Sequence, residues 1–358
     1  MRVLVTGGCG FLGSHVCEAF KQRGWNVVAY DNMTKFETSR IGFGDQERIR
    51  NYNRNHLDSL GILIQKADIC NLSTLMECAK GCDYIINCAA QPTMTLSTED
   101  PLFDFGINVV GMVNILEVAR ALRIPVATCS SIHVYGTGIN NTLIEGRDAY
   151  YRRVPRYSIL INEKHPVLTG QLTPLHASKR CAEIYARMYA ETYGLDIAVF
   201  RLTGIYGERQ FGSEDHGWVS LLAIKTMLGL PIQLIGSGKQ MRDILYIANA
   251  AEAFHKWWDA GAPSGVYNIG GGQKNIISVR QCLAKLAELF GKVQTITQGG
   301  ARRGDLLYFA CDNTKATKAF GWQPTVQPDE GLERMVKWLQ ENKDIFSASS
   351  PVVARAQG

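Results

Sequence analysis

The stretch "VLVTGGCGFLGSH" (residues 3–15) constrains the fold more than any other part of the chain. A short apolar run leads into a cluster of glycines and then into "GSHVCEAFKQRG", whose helical pattern stops on Gly24. Gly8, Gly10 and Gly13 fit G-x-G-x-x-G, and Gly7, Gly10 and Gly13 fit the wider G-x-x-G-x-x-G. Glycines let the backbone turn sharply and approach a pyrophosphate, whose charge is stabilised at a helix N-terminus. A glycine fingerprint alone is a weak signal. The preceding strand and following helix supply the context that makes it specific.

The same unit recurs along the first half. The runs "NVVAYDN" (26–32), "YIINCAA" (84–90), "VATCSS" (126–131) and "IAVFRLTGIYG" (197–207) are apolar on both faces, as parallel strands covered by helices are. A helical segment, "NVVGMVNILEVARALRI" (108–124), carries apolar residues around most of its circumference. The alternation predicts an α/β fold: a Rossmann-type doubly wound parallel sheet over residues 1–207, with an irregular insertion at 137–172. Crowded turn signals predict a smaller C-terminal α/β substrate lobe over 208–344, partly interleaved with the first, and a flexible tail at 345–358.

Composition removes several function classes. A net charge of +5 over 358 residues is too small and too scattered for a nucleic-acid partner. Met1 leads straight into a strand, so no leader is expected, and no apolar run suggests a membrane span. The ten cysteines form no C-x-x-C pair, and Cys78 and Cys82 lack the further ligands a zinc site needs. A reducing cytoplasm and no metal are expected.

Asp31 ends the second strand, eighteen residues beyond Gly13. A carboxylate there accepts hydrogen bonds from ribose hydroxyls and repels a 2′-phosphate, which favours NAD over NADP. Asp68, in "KADIC", either reaches the adenine edge or caps a helix.

The motifs "TGGCGFLGS", "YDN", "NCAAQ", "NVVGMVNILEVAR", "SSIHVYG", "SKRCAE", "FRLTGIYG", "GSGKQMRDILYI", "YNIGGG" and "RRGD" stand in a telling order. Together the chain resembles the extended short-chain dehydrogenase/reductase family of nucleotide-sugar epimerases and dehydratases, from residue 1 to about 340. "MTLSTEDPLFDFGINVVG" and "YGERQFGSEDHGWV" are most similar to the CDP-paratose (CDP-tyvelose) 2-epimerases. The resemblance implies a cofactor set of Gly7, Gly10, Phe11, Leu12, Gly13, Asp31, Asn32, Asp68, Ile69, Ala89, Ala90, Gln91, Asn108 and Lys179. It also implies a homodimer through two helices per subunit, here 108–122 and 176–193.

In this family a Ser or Thr and a Tyr engage a sugar hydroxyl, while a Lys four residues after the Tyr holds the nicotinamide ribose. Ser131 and Lys179 take two of these positions. Leu175 takes the tyrosine's, and leucine has no proton to exchange. Three substitutes are open. His176 shares a helix face with Lys179. His133 lies two residues after Ser131, on the same side if the strand continues, at a position resembling the glutamate of the 4,6-dehydratases and a lysine of the 2-epimerases. Tyr150, Tyr151 and Tyr157 of the insertion could supply a phenol.

For the substrate, the resemblance implies that Arg242 and Arg302 (with Arg303 beside it) clamp a diphosphate, and that Thr93, Arg209, Gln210, His216 and Trp218 line the sugar nucleotide. Three functions follow: an NAD-dependent epimerase with a relocated acid/base, a dehydratase using His133, or a silent NAD- and sugar-nucleotide-binding partner protein.

Overall fold

The computed structural model describes residues 1–34, 40–154 and 156–347. Five strands open the chain: β1 (Arg2–Thr6), β2 (Asn26–Asp31), β3 (Leu63–Lys66), β4 (Tyr84–Asn87) and β5 (Val126–Ser131). With Ile197–Leu202 and Gly265–Ile269 they form one seven-stranded sheet, ordered Gly265–Ile269, Ile197–Leu202, β5, β4, β1, β2, β3. Every pairing in it is parallel. The last of these strands comes from the later half of the chain and completes the main sheet.

Both faces of the sheet are covered, which is why its strands read as continuous apolar runs. On one face Val3, Val5, Ala127 and Phe200 pack with Val16 and Phe20 of α1 (Phe11–Gln22) and with Phe254 and Trp257 of the Ile247–Asp259 helix. On the other, Leu4, Ile85 and Val199 pack with Ile115 and Leu116, and with Ala186 and Tyr189 of the Pro174–Tyr193 helix. Past residue 208 the strands are short. Ile232–Leu234 pairs with Ile296–Gln298, and Met241–Asp243 lies between Ile276–Ser278 and Tyr308–Phe309. Of these, Ile232, Leu234 and Ile277 pack with the Trp218–Leu228, Val279–Phe290 and Pro328–Glu341 helices around a second core.

Three expectations change. The tail does not begin at 345: Ile345 and Phe346, each 2% exposed, sit in a Lys343–Ser347 helix packed on the second core. Two apolar side chains with a place to bury outweigh the terminal position, and of the expected tail 348–358 lie outside the described residues. Second, the helix expected from 108 starts at Pro101, passes a π turn at Gly106–Val110 and runs to Leu122. At 22 residues it is long and apolar enough to span a membrane by length and composition, contrary to the reading of the sequence. Half of its most apolar window is buried against its own protein, which accounts for the composition. Third, His133 is not on a strand. β5 ends at Ser131, and Ile132–Tyr135 form a 3-10 turn in which His133 N–H donates to Ser131 Oγ at 3.2 Å.

Candidate active site

One cleft of about 520 Å³ runs along the C-terminal ends of the parallel strands. Gly7 follows β1, Asp31 ends β2, Cys88, Ala89 and Ala90 follow β4, Ser131 ends β5, and Leu202 ends the Ile197–Leu202 strand with Thr203 just after it. Strand ends are where an open α/β sheet leaves a crevice.

The cofactor end is built by close backbone approach. Gly7 has φ +64°, and a Cβ on it would lie 2.6 Å from Ala89 N. A Cβ on Gly13 would lie 2.0 Å from Gly7 O, so α1 sits directly on the turn. Gly10 and Phe11 open that helix and line the cleft with Leu12. Asp31 is 8% exposed and lines the cleft; its carboxylate accepts from Cys9 N–H at 2.9 Å and Met33 N–H at 2.7 Å. Those bonds fix its position at the strand end, where lone pairs remain for ribose hydroxyls. Asn32, Ile69, Ala89, Ala90 and Gln91 also line the cleft. A glycine cradle and a fixed carboxylate fit the adenosine and pyrophosphate of NAD.

Three expected cofactor residues sit behind this wall. Gly13 packs on the turn. Asp68 accepts from Asn32 Nδ2 and Cys70 N–H, each at 2.8 Å, and so anchors Asn32 and caps a turn. Asn108 Oδ1 accepts from Gln91 N–H at 3.1 Å, and its amide donates to Gln91 O, Asp104 Oδ1 and Ser178 Oγ. Asp104, 1% exposed, also accepts from Gln91 Nε2 at 3.0 Å. Burial raises its pKa, and the bonds from Ser178, Asn108 and Gln91 together with Lys179 offset part of that rise. Sequence reasoning missed this residue; a lone acid inside "LFDFGINVV" was its only signal.

At the reacting end, Ser131, His133, Leu175 and Lys179 all line the cleft. Pro174 starts the helix of Leu175 and Lys179, Thr173 precedes it in an extended conformation, and the two residues fall one turn apart. Lys179 is 7% exposed and its Nζ donates to Cys129 O at 3.4 Å. Burial holds its pKa below the ordinary lysine value, against the opposing pull of Cys129 and Asp104.

His176 is not on the cleft wall. It is fully buried, and its Nδ1 accepts from Thr173 N–H at 3.0 Å, so the ring caps its own helix. It stands behind His133, ring centroids 5.5 Å apart and nearly perpendicular. Tyr150, Tyr151 and Tyr157 are also absent from the lining; the first two lie on a Leu143–Glu145/Tyr150–Arg152 hairpin and Tyr157 packs beneath Arg152.

Burial first, then His176, Arg242, Arg302 and His216, pushes His133 down to about 3, so the imidazole is uncharged at neutral pH. The sign for stability follows. Below about pH 6.5 the unfolded chain binds a proton that the folded chain refuses, so stability is lost as pH falls through that window. His255, pushed down to about 3 by burial, adds in the same direction. Urea midpoints are expected to drop between pH 7 and pH 5, with about 2 kcal/mol of the loss removed in His133→Gln. An unchanged pH slope in that variant would contradict the assignment.

The substrate-side residues also converge. Arg242 pairs with Asp305 at 2.9 Å, and Arg302 Nη2 donates to Glu214 O at 2.9 Å. Thr93, Arg209, Gln210, His216 and Trp218 line the cleft with them, whereas Arg303 does not. Arg209, at φ +62°, is paired with Glu18 at 2.7 Å. Gln210 Nε2 donates to Ile205 O at 3.0 Å while its Oε1 is buried and unpartnered. Thr203 Oγ1 and Ser213 Oγ, likewise buried and unpartnered on this wall, were not anticipated.

Residues 3–270 match the NAD dependent epimerase/dehydratase family. The chain is 30% identical to the CDP-paratose 2-epimerase of Salmonella typhi, covering 94% of this chain and 99% of that one. Among solved structures it is similar to a Thermus thermophilus UDP-glucose 4-epimerase in complex with NAD, with TM-score 0.76 and 28% identity over 95% of this chain and 99% of that one. It is also similar to a Thermotoga maritima UDP-glucose 4-epimerase with UDP-glucose, with TM-score 0.77 and 25% identity over 96% and 100% of the two chains.

Proposed function

From the premise that the chain belongs to the NAD-dependent epimerase/dehydratase family, we propose that it is a nucleotide-sugar epimerase of the 2-epimerase type in which His133 moves the proton that Leu175 cannot. The carrying observation is that Ser131, His133, Lys179, Arg242 and Arg302 share one cleft with Leu175, the residue that the family resemblance aligns with the tyrosine.

NAD, when bound, supplies reversible oxidation of the sugar. The protein's own groups do the rest. Lys179, buried beside the Cys129 carbonyl, holds the nicotinamide ribose. Arg242 and Arg302 hold the diphosphate as charge-matched forks. These two arginines are also among the charges that depress His133. A bound diphosphate cancels part of that field, while burial, the larger cause, keeps the imidazole neutral, the form that can accept a proton from a sugar hydroxyl and give it back. Ser131 Oγ orients the sugar hydroxyl.

Turnover of a nucleotide-sugar panel in deuterated water should invert one sugar carbon without placing deuterium there, because the carbon-bound hydrogen passes to NAD as hydride and returns while His133 moves only the hydroxyl proton. His133→Gln should slow that inversion by at least about 100-fold with NAD retained. Inversion unaffected in the variant removes His133 from the proton step. A product lighter by one water would instead favour the dehydratase reading, to which the histidine's position also lends itself. NAD and sugar-nucleotide binding with no product from any substrate would favour the silent partner.

The active unit in this reading is a homodimer in a reducing compartment such as the cytoplasm, which the ten free cysteines suit. Leu102 (84% exposed), Phe105 and Val110 on one helix, and Ile184 and Tyr185 on the Pro174–Tyr193 helix, leave an apolar surface for a second copy. Sedimentation equilibrium should give twice the 39.6 kDa chain mass, falling to one chain in Leu102→Glu/Ile184→Glu. A monomeric wild type would sink the dimer.

A further inference from the structure

Two cysteines on the cleft floor have no part in the chemistry above. β4 and β5 pair in parallel with Asn87 opposite Thr128, so Cys88 and Cys129 take the next rung. Their sulfurs are 3.8 Å apart, and both residues line the cleft. Cys129 also carries the carbonyl that receives Lys179, and Cys88 abuts the pyrophosphate turn, where a Cβ on Gly7 would lie 2.7 Å from Cys88 C. The pair therefore lies between the two ends of the cofactor site.

We propose that Cys88 and Cys129 are a dithiol modification site that closes to a disulfide under peroxide and is shielded when NAD is bound. Adjacent strands run about 4.8 Å apart, within the Cα separation a disulfide accepts, and closing the sulfurs to about 2.05 Å needs only small side-chain rotations. Peroxide oxidises one thiol to a sulfenic acid and leaves as water. The second sulfur then attacks the first, expels its oxygen as a second water and forms the S–S bond. Two thiols and one peroxide give one disulfide and two waters, the two electrons passing to the peroxide oxygens. The hydrogen bond from Cys129, then burial, raises the Cys88 thiol well above its ordinary range, so the pair stays reduced until oxidant is sustained.

Binding linkage makes the effect reciprocal: NAD protects the thiols, and the disulfide weakens NAD binding. The proposal needs NAD binding but not the reaction proposed above, so loss of turnover alone leaves it standing. The test treats the full chain with hydrogen peroxide, with and without saturating NAD, and maps the peptides by mass spectrometry. Without NAD a peptide pair joining Cys88 to Cys129, lighter by about 2 Da, is expected. With NAD its formation should slow at least tenfold, and Cys88→Ser should abolish it. If that variant does not fold, phenylarsine oxide, which bridges neighbouring thiols without oxidation, gives a second measurement on the wild type: one equivalent bound across both cysteines, blocked by NAD. Free or differently paired Cys88 and Cys129 after oxidation, or a rate indifferent to NAD, would overturn the proposal.

Discussion

Glu183→Ala should lower the stability of the folded chain by about 3–5 kcal/mol, the largest single-residue loss expected here. Glu183 and Arg201 have side chains 1% and 4% exposed, and Arg201 Nε and Nη2 reach the two carboxylate oxygens at 2.9 and 2.7 Å. Ser130 Oγ donates to the same carboxylate at 2.7 Å, and Arg180 at 2.8 Å. One buried acid thus ties the helix that carries Lys179, the strand that ends in Ser131 and the strand that ends at Leu202. Without it Arg201 keeps its charge, loses its counter-ion and cannot reach water; its remaining neighbour is the Tyr135 ring, 4.8 Å away. Urea unfolding of Glu183→Ala and Glu183→Gln separates charge from packing, since the amide retains the volume. A loss below about 1 kcal/mol in the alanine variant would show that the pair contributes little.

Gly13→Ala should weaken NAD binding by at least about 100-fold, about 2.7 kcal/mol, while the overpacking itself costs about 1–3 kcal/mol of stability. The added methyl would lie 2.0 Å from Gly7 O and 2.9 Å from Gly8 Cα, and both partners are backbone that cannot rotate away. Either α1 lifts off the turn or the turn moves, and each displaces the N–H groups that face the pyrophosphate. Gly24→Ala is the control. That glycine also has a positive φ, +79°, but open space around its Cβ position, so it should cost about 1 kcal/mol and leave NAD affinity unchanged. Titration of both variants with NAD by calorimetry checks the contrast. Equal affinities would mean that close approach at Gly13 does not shape the site.

The glycines, Asp31 and the strand runs were legible in the sequence because each encodes a local requirement. A tight turn needs glycine, a doubly covered strand needs apolar residues on both faces, and a strand-end acid is placed by its own strand. Residues whose place depends on distant partners were not legible. His176 has the right spacing from Lys179, yet Thr173 draws its ring into a helix cap. Asn108 and Asp68 stand in the expected segments, yet both turn inward to hold Gln91 and Asn32. Glu183 and Arg201, eighteen positions apart on different elements, gave no sign of pairing.

Residue type and short-range spacing were enough for the Rossmann-type fold and the NAD site. Which candidate faces the cleft emerged only once distant segments were packed together. His133 lies on the cleft wall because β5 ends at Ser131 and turns, while His176 and the insertion tyrosines lie off it. A side chain's direction at the end of a strand is set by where the chain turns and by what packs behind it, and neither is written in the spacing of two residues.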